Sequence, residues 1–428
     1  MAALPFVAFG EAQKLPDRLA GHGGPIRAVT VSDDGTHVLT ASFDYALILW
    51  DISGPEAKIV HRMTGHAGAV NDAEFVPERN WAVSVGDDGA MAAWDLGTGE
   101  MLWLTKVDAY KALDLDLTAD GKLAAMGKWD RTARIVDVAT GEIVSSLIHR
   151  TNVQTVAFDS AGGLLTGTYG GEIWEWDLAR PDAALRPLVQ HGWGINSIAM
   201  LPNGTLVFGA LDGTFARVDL FSGITTELAK TDRPIQTVKL SQDNALVGYG
   251  DGTGKIGIYT MAGSHVETGV VTYGPVWDFD FVPGTAEIYH VGLDDFAALW
   301  RIAPRDFTPI QAELPRRFQI RESEDPGELE FLRKCSVCHT LTPDDAGRAG
   351  PTLYGLFGRP SAALPDYPYS KALEDLNVIW TEETVAQLFD DGPDIMVPGT
   401  KMPIQRLKSI ERRDDLIRYL KTATAIIE

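Results

Sequence analysis

Short segments in which hydrophobic and polar positions alternate recur along residues 1–302. Alternation with a period of two is typical of β-strands that bury one face. A polar turn rich in Gly, Asn or Asp follows most of these segments, which is the composition of hairpin turns. The seven segments are Ile26 to Val31, Val70 to Phe75, Leu113 to Leu117, Val153 to Phe158, Ile195 to Met200, Ile235 to Leu240 and Val276 to Phe281. The pattern predicts an all-β structure of seven equivalent units, each with further strands after its turn.

A second repeated feature fixes the period of these units. A Trp-Asp pair or a related dipeptide recurs at intervals of 44, 42, 40, 42, 41 and 41 residues. Repeats of this length are typical of β-propellers, in which each repeat forms one four-stranded blade. The dipeptides are Trp50-Asp51, Trp94-Asp95, Val136-Asp137, Trp176-Asp177, Val218-Asp219, Tyr259-Thr260 and Trp300-Arg301.

These repeats resemble the WD40 family. Gly-His pairs precede the first two repeats, and an Asp stands six residues before the Trp position in five of them. The resemblance implies a seven-bladed β-propeller over residues 1–302, closed by a strand at about Gln13 to Leu19. It also implies a buried hydrogen-bond tetrad in the first blade. We expect the tetrad to be incomplete in the second blade, where Gly86 occupies the position of Ser42. The predicted tetrad residues are His22, Ser42, Asp44 and Trp50.

The repeat period stops after residue 302, and prolines follow at positions 304, 309, 315 and 326. A Pro-rich segment of this kind is an extended spacer. We therefore predict three parts: the propeller at 1–302, a linker at 303–326 and a second domain at 327–428.

The charge of the chain narrows the choice of partners. Its net charge is -22. The segment from Pro315 onward contains 15 Lys+Arg and 19 Asp+Glu, a net -4, which leaves -18 for the first 314 residues. An acidic surface argues against nucleic acid and for a partner with a basic surface. No apolar run of about eighteen residues occurs, so we predict no transmembrane segment.

Both cysteines of the chain lie in Cys335-Ser336-Val337-Cys338-His339. This spacing is the one at which two thiols attach a haem and the following imidazole binds its iron. A redox CxxC pair and half of a zinc site are the alternatives. A zinc site would need further ligands, yet His339 is the last histidine of the chain. A thioredoxin-like pair would open a helix, whereas a helical pattern from Pro326 to Lys334 ends at the cysteines.

The segment from about Gly327 to Lys421 resembles a class I cytochrome c of the mitochondrial and bacterial c2 type. The matching pieces occur in the order of that family and are CSVCH, GPTLYGLFGR (350–359), YPYS (367–370), Trp380, VPGTKM (397–402) and DLIRYLK. The resemblance implies a small all-α domain with one haem c, attached through Cys335 and Cys338. Its iron would be held by His339 and by Met402, since Met402 lies in the ligand loop of the family. Met396 is expected to serve packing.

The resemblance also assigns residues around the haem. Pro351 occupies the position whose carbonyl accepts a hydrogen bond from the ring of the ligating histidine. Arg359, Tyr369 and Trp380 match residues that contact the haem propionates, and Thr400 lies beside them. Each of the three also has an ordinary structural interpretation, as a surface charge or a core aromatic.

A carrier of single electrons, with the propeller as a docking scaffold for a redox partner, is the function we predict. Two alternatives remain open. One is an oxidoreductase with a second active site in the propeller, by analogy with haem-containing nitrite reductases, and the other is a haem redox sensor. Because c-type haems are attached outside the bacterial cytoplasm, we expect a periplasmic location and a signal peptide that has been removed. The chain begins Met-Ala-Ala-Leu-Pro-Phe-Val, without a basic segment or an apolar core of its own.

Overall fold

The structure is a computed structural model that describes residues 14–106, 108, 110–178, 187–201, 203–302, 323–344, 347–365, 367, 369–398, 400–403 and 405–426. Its contacts divide the chain into two compact units. The strands lie in the first unit and the helices in the second. Most of the predicted linker, residues 303–322, lies outside the described residues.

Within its described residues, the first unit contains seven four-stranded antiparallel sheets, and six of them are formed by four consecutive strands. This is the seven-bladed propeller that the repeat period predicted. The strands are β1 (Arg18–Ala20), β2 (Ile26–Val31), β3 (His37–Ser42), β4 (Ala46–Asp51), β5 (Lys58–Thr64), β6 (Val70–Phe75), β7 (Trp81–Gly86), β8 (Ala90–Asp95), β9 (Met101–Lys106), β10 (Ala112–Leu117), β11 (Leu123–Lys128), β12 (Thr132–Asp137), β13 (Ile143–Ile148), β14 (Val153–Phe158), β15 (Leu164–Thr168), β16 (Glu172–Trp176), β17 (Pro187–Gln190), β18 (Ile195–Met200), β19 (Thr205–Ala210), β20 (Thr214–Asp219), β21 (Ile224–Lys230), β22 (Ile235–Leu240), β23 (Leu246–Asp251), β24 (Lys255–Thr260), β25 (His265–Val270), β26 (Asp278–Phe281), β27 (Glu287–Val291) and β28 (Phe296–Arg301).

The seventh sheet closes the ring by combining both ends of the repeat region. Its strand order is β1-β28-β27-β26, and Leu19 pairs with Ala297 across the closure. The Leu19 side chain is fully buried, so closure removes apolar surface from water as well as joining strands. The predicted closure by an N-terminal outer strand is therefore confirmed, with the strand at Arg18–Ala20. Gln13, the first residue of the predicted strand, lies outside the described residues.

Side chains on the first strand of several blades hold the next blade in place. The carboxylate of Asp72 accepts a hydrogen bond from the backbone N–H of Leu115 at 3.0 Å, and that of Asp114 accepts one from Val156 at 2.8 Å. Between the last and first blades, Asp278 accepts from Val29 at 3.0 Å. These contacts connect neighbouring blades around the central channel and give the inner carboxylates a structural role.

The buried tetrad differs from the prediction. In the second blade, His66 contacts Asp88 at 3.1 Å and the Ser84 hydroxyl at 2.8 Å, and the Trp94 indole N–H donates to Ser84 at 2.9 Å. The network is thus complete there, and the expectation from Gly86 was wrong. In the first blade, the Trp50 indole donates to Thr40 at 2.8 Å. Ser42 instead accepts from the backbone N–H of Asp44 at 3.1 Å.

The hydroxyl of the tetrad therefore comes from a residue ten positions before the Trp. In the register of the sheets Val38 lies opposite Trp50 and Ala82 lies opposite Trp94, so the hydroxyl residue is two positions further along the neighbouring strand, on the same face. The position that we predicted, Ser42, is the last residue of β3, and its hydroxyl accepts from the backbone of the turn that follows.

The second unit contains five helices within its described residues. They are α1 (Pro326–Lys334), α2 (Lys371–Glu374), α3 (Glu382–Asp391), α4 (Pro393–Met396) and α5 (Ile410–Ala423). The Asp325 side chain caps α1 by accepting from the N–H of Gly327 at 2.7 Å. None of the helices in the described residues has the length and apolar character needed to cross a membrane.

The contact between α1 and α5 organises this unit. A Cβ atom placed on Gly327 would lie 2.1 Å from the carbonyl oxygen of Asp415, so the two helix backbones meet where a larger residue would not fit. Next to this point, the rings of Phe331 and Tyr419 are 5.9 Å apart. The buried side chains of Leu416 and Leu420 complete the contact on α5. The segment that carries the cysteines thus starts from a fixed helix.

Candidate cofactor site

The cysteines and the histidine occupy one turn that continues from α1. The backbone N–H of Cys335 donates to the carbonyl of Phe331 at 2.8 Å, which joins the turn to the helix. Within the turn, the N–H groups of Cys338 and His339 both donate to the carbonyl of Cys335, at 3.0 and 2.8 Å. Because these bonds fix the backbone, two thiols and one imidazole are presented by a single short segment.

Burial favours the protonated form of both thiols in this turn. Cys335 is buried and Cys338 is half-buried, and they form no disulfide. Burial raises the pKa of the Cys335 thiol to about 12 and that of the Cys338 thiol to about 11. Redox-active cysteines need an accessible thiolate, which a lowered pKa provides. The alternative of a redox pair is therefore disfavoured.

The imidazole of His339 is held in one orientation and one protonation state. Its Nδ1 lies 2.8 Å from the carbonyl oxygen of Pro351. Because a carbonyl only accepts, Nδ1 must carry the hydrogen of this bond. Burial is the main cause that lowers the pKa of His339, which favours the neutral ring. A neutral ring protonated at Nδ1 has a free lone pair on Nε2, the atom that can bind a metal.

Gly350 and Arg348 complete the surroundings of this turn. A Cβ atom on Gly350 would lie 2.5 Å from Cε1 of His339, so only glycine permits the approach of this loop to the ring. The Arg348 guanidinium donates to the carbonyls of Ser336 and His339. The loop from Arg348 to Pro351 thus supports the turn through several separate contacts.

Met402 lies in the apolar cluster that contains Cys335. The buried members of this cluster come from α1, α3, α5 and the loops, and Met402 and Trp380 pack against them half-buried. The backbone N–H of Met402 donates to the Thr400 hydroxyl at 3.1 Å, which orders the loop before the thioether. Met396, at the end of α4, is also half-buried. The buried members of the cluster are Phe331, Cys335, Leu356, Val385, Phe389, Leu407, Leu416, Ile417 and Leu420.

The remaining predicted site residues form a second group. Trp380 and Arg359 are joined by their backbones, since the N–H of Trp380 donates to the carbonyl of Arg359 at 3.0 Å. The Arg359 guanidinium donates to the carbonyls of Thr352 and Tyr354, at 2.8 and 3.0 Å. Burial raises the pKa of Tyr369, while the nearby Arg359 charge opposes that shift. Arg359 therefore stabilises the backbone conformation of residues 352–354, which follow Pro351.

Known proteins match the two parts of the chain separately. The family "WD domain, G-beta repeat" matches residues 13–51 and 57–95, the first two repeats. A cytochrome c from Sesamum indicum is 46% identical over 101 residues, which are 23% of this chain and 88% of that protein. The chain belongs to the cytochrome c family. A cytochrome c from Gibberella zeae is 36% identical over 94 residues, 22% of this chain and 88% of that protein. A cytochrome c type-1 from Ascaris suum is 38% identical over 97 residues, 23% of this chain and 85% of that protein.

The cytochrome c site fits the predicted haem in its chemistry. Two protonated thiols lie on one turn, and the neutral imidazole next to them has a bare nitrogen. These are the groups that covalent attachment and iron ligation require. The described residues of the chain contain no group of three or more His, Cys, Asp or Glu side chains that could hold a metal ion by themselves.

Sequence reasoning missed three residues that support the site. Gly350 belongs to one of the matching segments but was assigned no role, because its role depends on the close approach of its backbone to the His339 ring in the folded protein. Arg348 lies outside the quoted segments. Glu330 is a buried acid on α1 whose carboxylate accepts from Nε of Arg412 at 2.8 Å. Glu330 lies next to Phe331 on the buried side of α1, and an acidic residue at such a position indicates a cationic partner.

Proposed function

We propose that this cytochrome c is a carrier of single electrons with one haem c, bound covalently through Cys335 and Cys338. The observation that carries the proposal is the hydrogen bond from His339 to the carbonyl of Pro351. It leaves the metal-binding nitrogen of a neutral imidazole free, next to two protonated thiols. The haem supplies iron that cycles between the ferrous and ferric states.

The residues of the chain have distinct tasks in this proposal. His339 would be one axial ligand, and Pro351 would hold its ring in the ligating orientation. Met402 would be the second ligand, and a thioether favours ferrous iron and raises the reduction potential. The apolar cluster around Cys335 would exclude water from the site, which also favours the less charged ferrous state. With two protein ligands, the iron would have no open position for a substrate.

The class I assignment of the domain at 327–428 belongs to the same proposal. In this assignment Arg359, Tyr369 and Trp380 would contact the haem propionates, with Thr400 beside them. The proximity of Arg359 to Tyr369 and its backbone pairing with Trp380 support the assignment.

The propeller would serve as the docking scaffold for a redox partner with a basic surface. Its repeats carry most of the negative charge of the chain, and charge complementarity guides association. We further propose that the chain works in the bacterial periplasm, because c-type haem is attached outside the cytoplasm. Sequencing the N-terminus of the protein purified from its native cells tests this location. A removed signal peptide is expected, and an unprocessed cytoplasmic protein would contradict it.

A denaturing haem assay of the purified full-length chain tests the cofactor. We expect one iron per chain and a haem that stays with the polypeptide after denaturation and acid extraction. Cys335→Ala combined with Cys338→Ala should abolish this retention. Ser336→Ala, which changes a neighbouring residue in the same turn, is the matched control and should retain haem. Extraction of the haem from the unaltered chain would contradict covalent attachment, and a second chromophore or metal would favour the oxidoreductase alternative.

A further inference from the structure

Four exposed aromatic side chains lie on consecutive repeats of the propeller. Tyr110, Trp129, Tyr169 and Trp193 are 60, 45, 58 and 61% exposed. Large aromatic side chains clustered on a surface mark contact sites, because their apolar area gains from leaving water. We call these four residues the aromatic arc.

The topology places the aromatic arc on one face of the ring. Trp129 lies between β11 and β12, and Tyr169 lies between β15 and β16, so both are in turns between the second and third strands of a blade. Tyr110 and Trp193 lie in connections from one blade to the next. In a four-stranded antiparallel sheet these two kinds of connection are at the same edge, since the first and third strands run in the same direction. The four side chains therefore share a face.

Hydrogen bonds and close packing order the backbone beneath the arc. The buried ammonium of Lys128 donates to the carbonyl of Tyr110 at 2.9 Å. The Trp129 indole N–H donates to the side-chain carbonyl of Gln154 in the next blade at 3.2 Å. A Cβ atom on Gly171 would lie 2.7 Å from the backbone nitrogen of Trp193. Such a surface loses little conformational freedom when a partner binds, which favours affinity.

The central channel opens beside the aromatic arc and is acidic. Its cavity of about 660 Å³ is lined by Trp129 and Gln154 together with six carboxylates and two cationic side chains. The carboxylates include Asp72 and Asp159, and the cations are Arg27 and Lys239. An excess of carboxylates in a recess attracts cations, and aromatic faces attract the same groups.

We propose that the aromatic arc and the channel mouth form a docking surface for a segment of a partner protein that presents an arginine or lysine side chain. The apolar part of the segment packs on the aromatic rings, and its cation faces the carboxylates of the channel. This inference rests on the proposed scaffold role of the propeller and names the surface and chemistry of that role.

Fluorescence anisotropy with a defined peptide tests the docking surface. The probe is a labelled nine-residue peptide of alternating arginine and glycine, and its counterpart has citrulline in place of each arginine. Citrulline keeps the shape and removes the charge. We expect the arginine peptide to bind the full-length holoprotein at least about tenfold more tightly than the citrulline peptide. Trp129→Ala and Trp193→Ala should each weaken binding at least about fivefold.

Phe221→Ala is the matched control. Phe221 is 90% exposed and lies between β20 and β21, a turn between the third and fourth strands that belongs to the opposite face. Its removal should leave peptide affinity unchanged. Far-ultraviolet circular dichroism and thermal unfolding of all variants verify the fold.

Two results would overturn the docking surface. One is equal affinity for the arginine and citrulline peptides, and the other is an unchanged affinity in folded Trp129→Ala and Trp193→Ala variants. Haem content and reduction potential are measured on the same samples and should be unaltered. Lost docking with an intact haem refutes this inference alone, whereas missing haem in the unaltered chain refutes the proposed electron transfer.

Discussion

At the scale of single residues, the chemistry of the site depends on which nitrogen of one imidazole carries a hydrogen. The carbonyl of Pro351 can only accept, so it fixes the hydrogen on Nδ1 of His339. Burial lowers the pKa of His339 and so disfavours a second proton on the ring. The CxxCH spacing predicted a ligating histidine, but its orientation depends on Pro351 and Gly350, eleven or more residues later in the chain. Only the folded loop brings those residues to the ring.

Met402→Ala tests the second iron ligand. Replacing the thioether removes the donor that stabilises ferrous iron, so the reduction potential should fall and the weak long-wavelength sulfur-to-iron absorption should disappear. Visible spectroscopy and a redox titration measure both effects. Met396→Ala removes the neighbouring half-buried thioether and should leave the absorption unchanged. If Met396→Ala lost the absorption and Met402→Ala kept it, Met396 would be the ligand.

Ser84→Ala tests the tetrad of the second blade. The change leaves the buried Trp94 indole N–H and one nitrogen of His66 without their partner, which should cost about 2 kcal/mol of the free energy of unfolding. Chemical denaturation followed by tryptophan fluorescence measures the loss. Ser53→Ala is the control, because Ser53 is an exposed residue whose hydroxyl donates to the neighbouring Asp51. Equal stability of the two variants would contradict the role of Ser84.

At the scale of elements, local sequence patterns correctly predicted the helices and strands that are amphipathic and regular. The helix from Pro326 to Lys334 has the predicted bounds, and the matching piece DLIRYLK lies within α5 of the expected all-α domain. The repeat period also predicted the number of blades, and the resemblance to the WD40 family implied the closure of the ring. By contrast, the tetrad hydroxyl was assigned two positions too late. Spacing identifies a strand and its turn, but the partner of a Trp side chain depends on register across the sheet.

Gly327→Ala tests the crossing of α1 and α5. The added methyl group would lie 2.1 Å from the carbonyl oxygen of Asp415, so the helices must separate, at a cost of about 1–3 kcal/mol. Thermal unfolding monitored by haem absorbance follows this unit selectively. Gly54→Ala is the control, because a Cβ atom there meets no atom within 4 Å. An unaltered transition for Gly327→Ala would show that the crossing tolerates the methyl group.

At the scale of the whole molecule, the propeller carries buried carboxylates that both connect blades and make the channel acidic. Asp116 accepts a hydrogen bond from the backbone N–H of Phe158 at 2.6 Å, and burial raises its pKa to about 6. Burial likewise raises the pKa of Asp72 and of Asp280 to about 6. The repeat pattern did not predict this channel, because no single repeat contains it.

The pH dependence of propeller stability follows from these carboxyl groups. A carboxyl group has a pKa of about 4 when unfolded, so a folded pKa of about 6 means that the folded state binds the proton more tightly. The stability that each group contributes is complete below about pH 4 and is lost as the pH rises through about 6. Asp116→Asn removes this titration and keeps an oxygen that can accept from Phe158. It should therefore raise the unfolding free energy by about 1 kcal/mol at pH 7.5 and by less at pH 5.

Asp120→Asn is the control for this comparison, since Asp120 is an exposed aspartate in the next turn and its pKa is lowered to about 2 by its contacts with Lys122 and Thr118. Denaturant titrations at pH 5 and pH 7.5 measure both variants. An Asp116→Asn effect that is the same at the two pH values would contradict a raised pKa.

A spectroelectrochemical titration of the full-length chain tests the central claim that it carries one electron on one haem ligated by His339 and Met402. The account predicts a single reversible one-electron transition, with the sulfur-to-iron absorption present only in the oxidised protein. Two transitions, a transition that involves two electrons, or an oxidised protein without that absorption would contradict it.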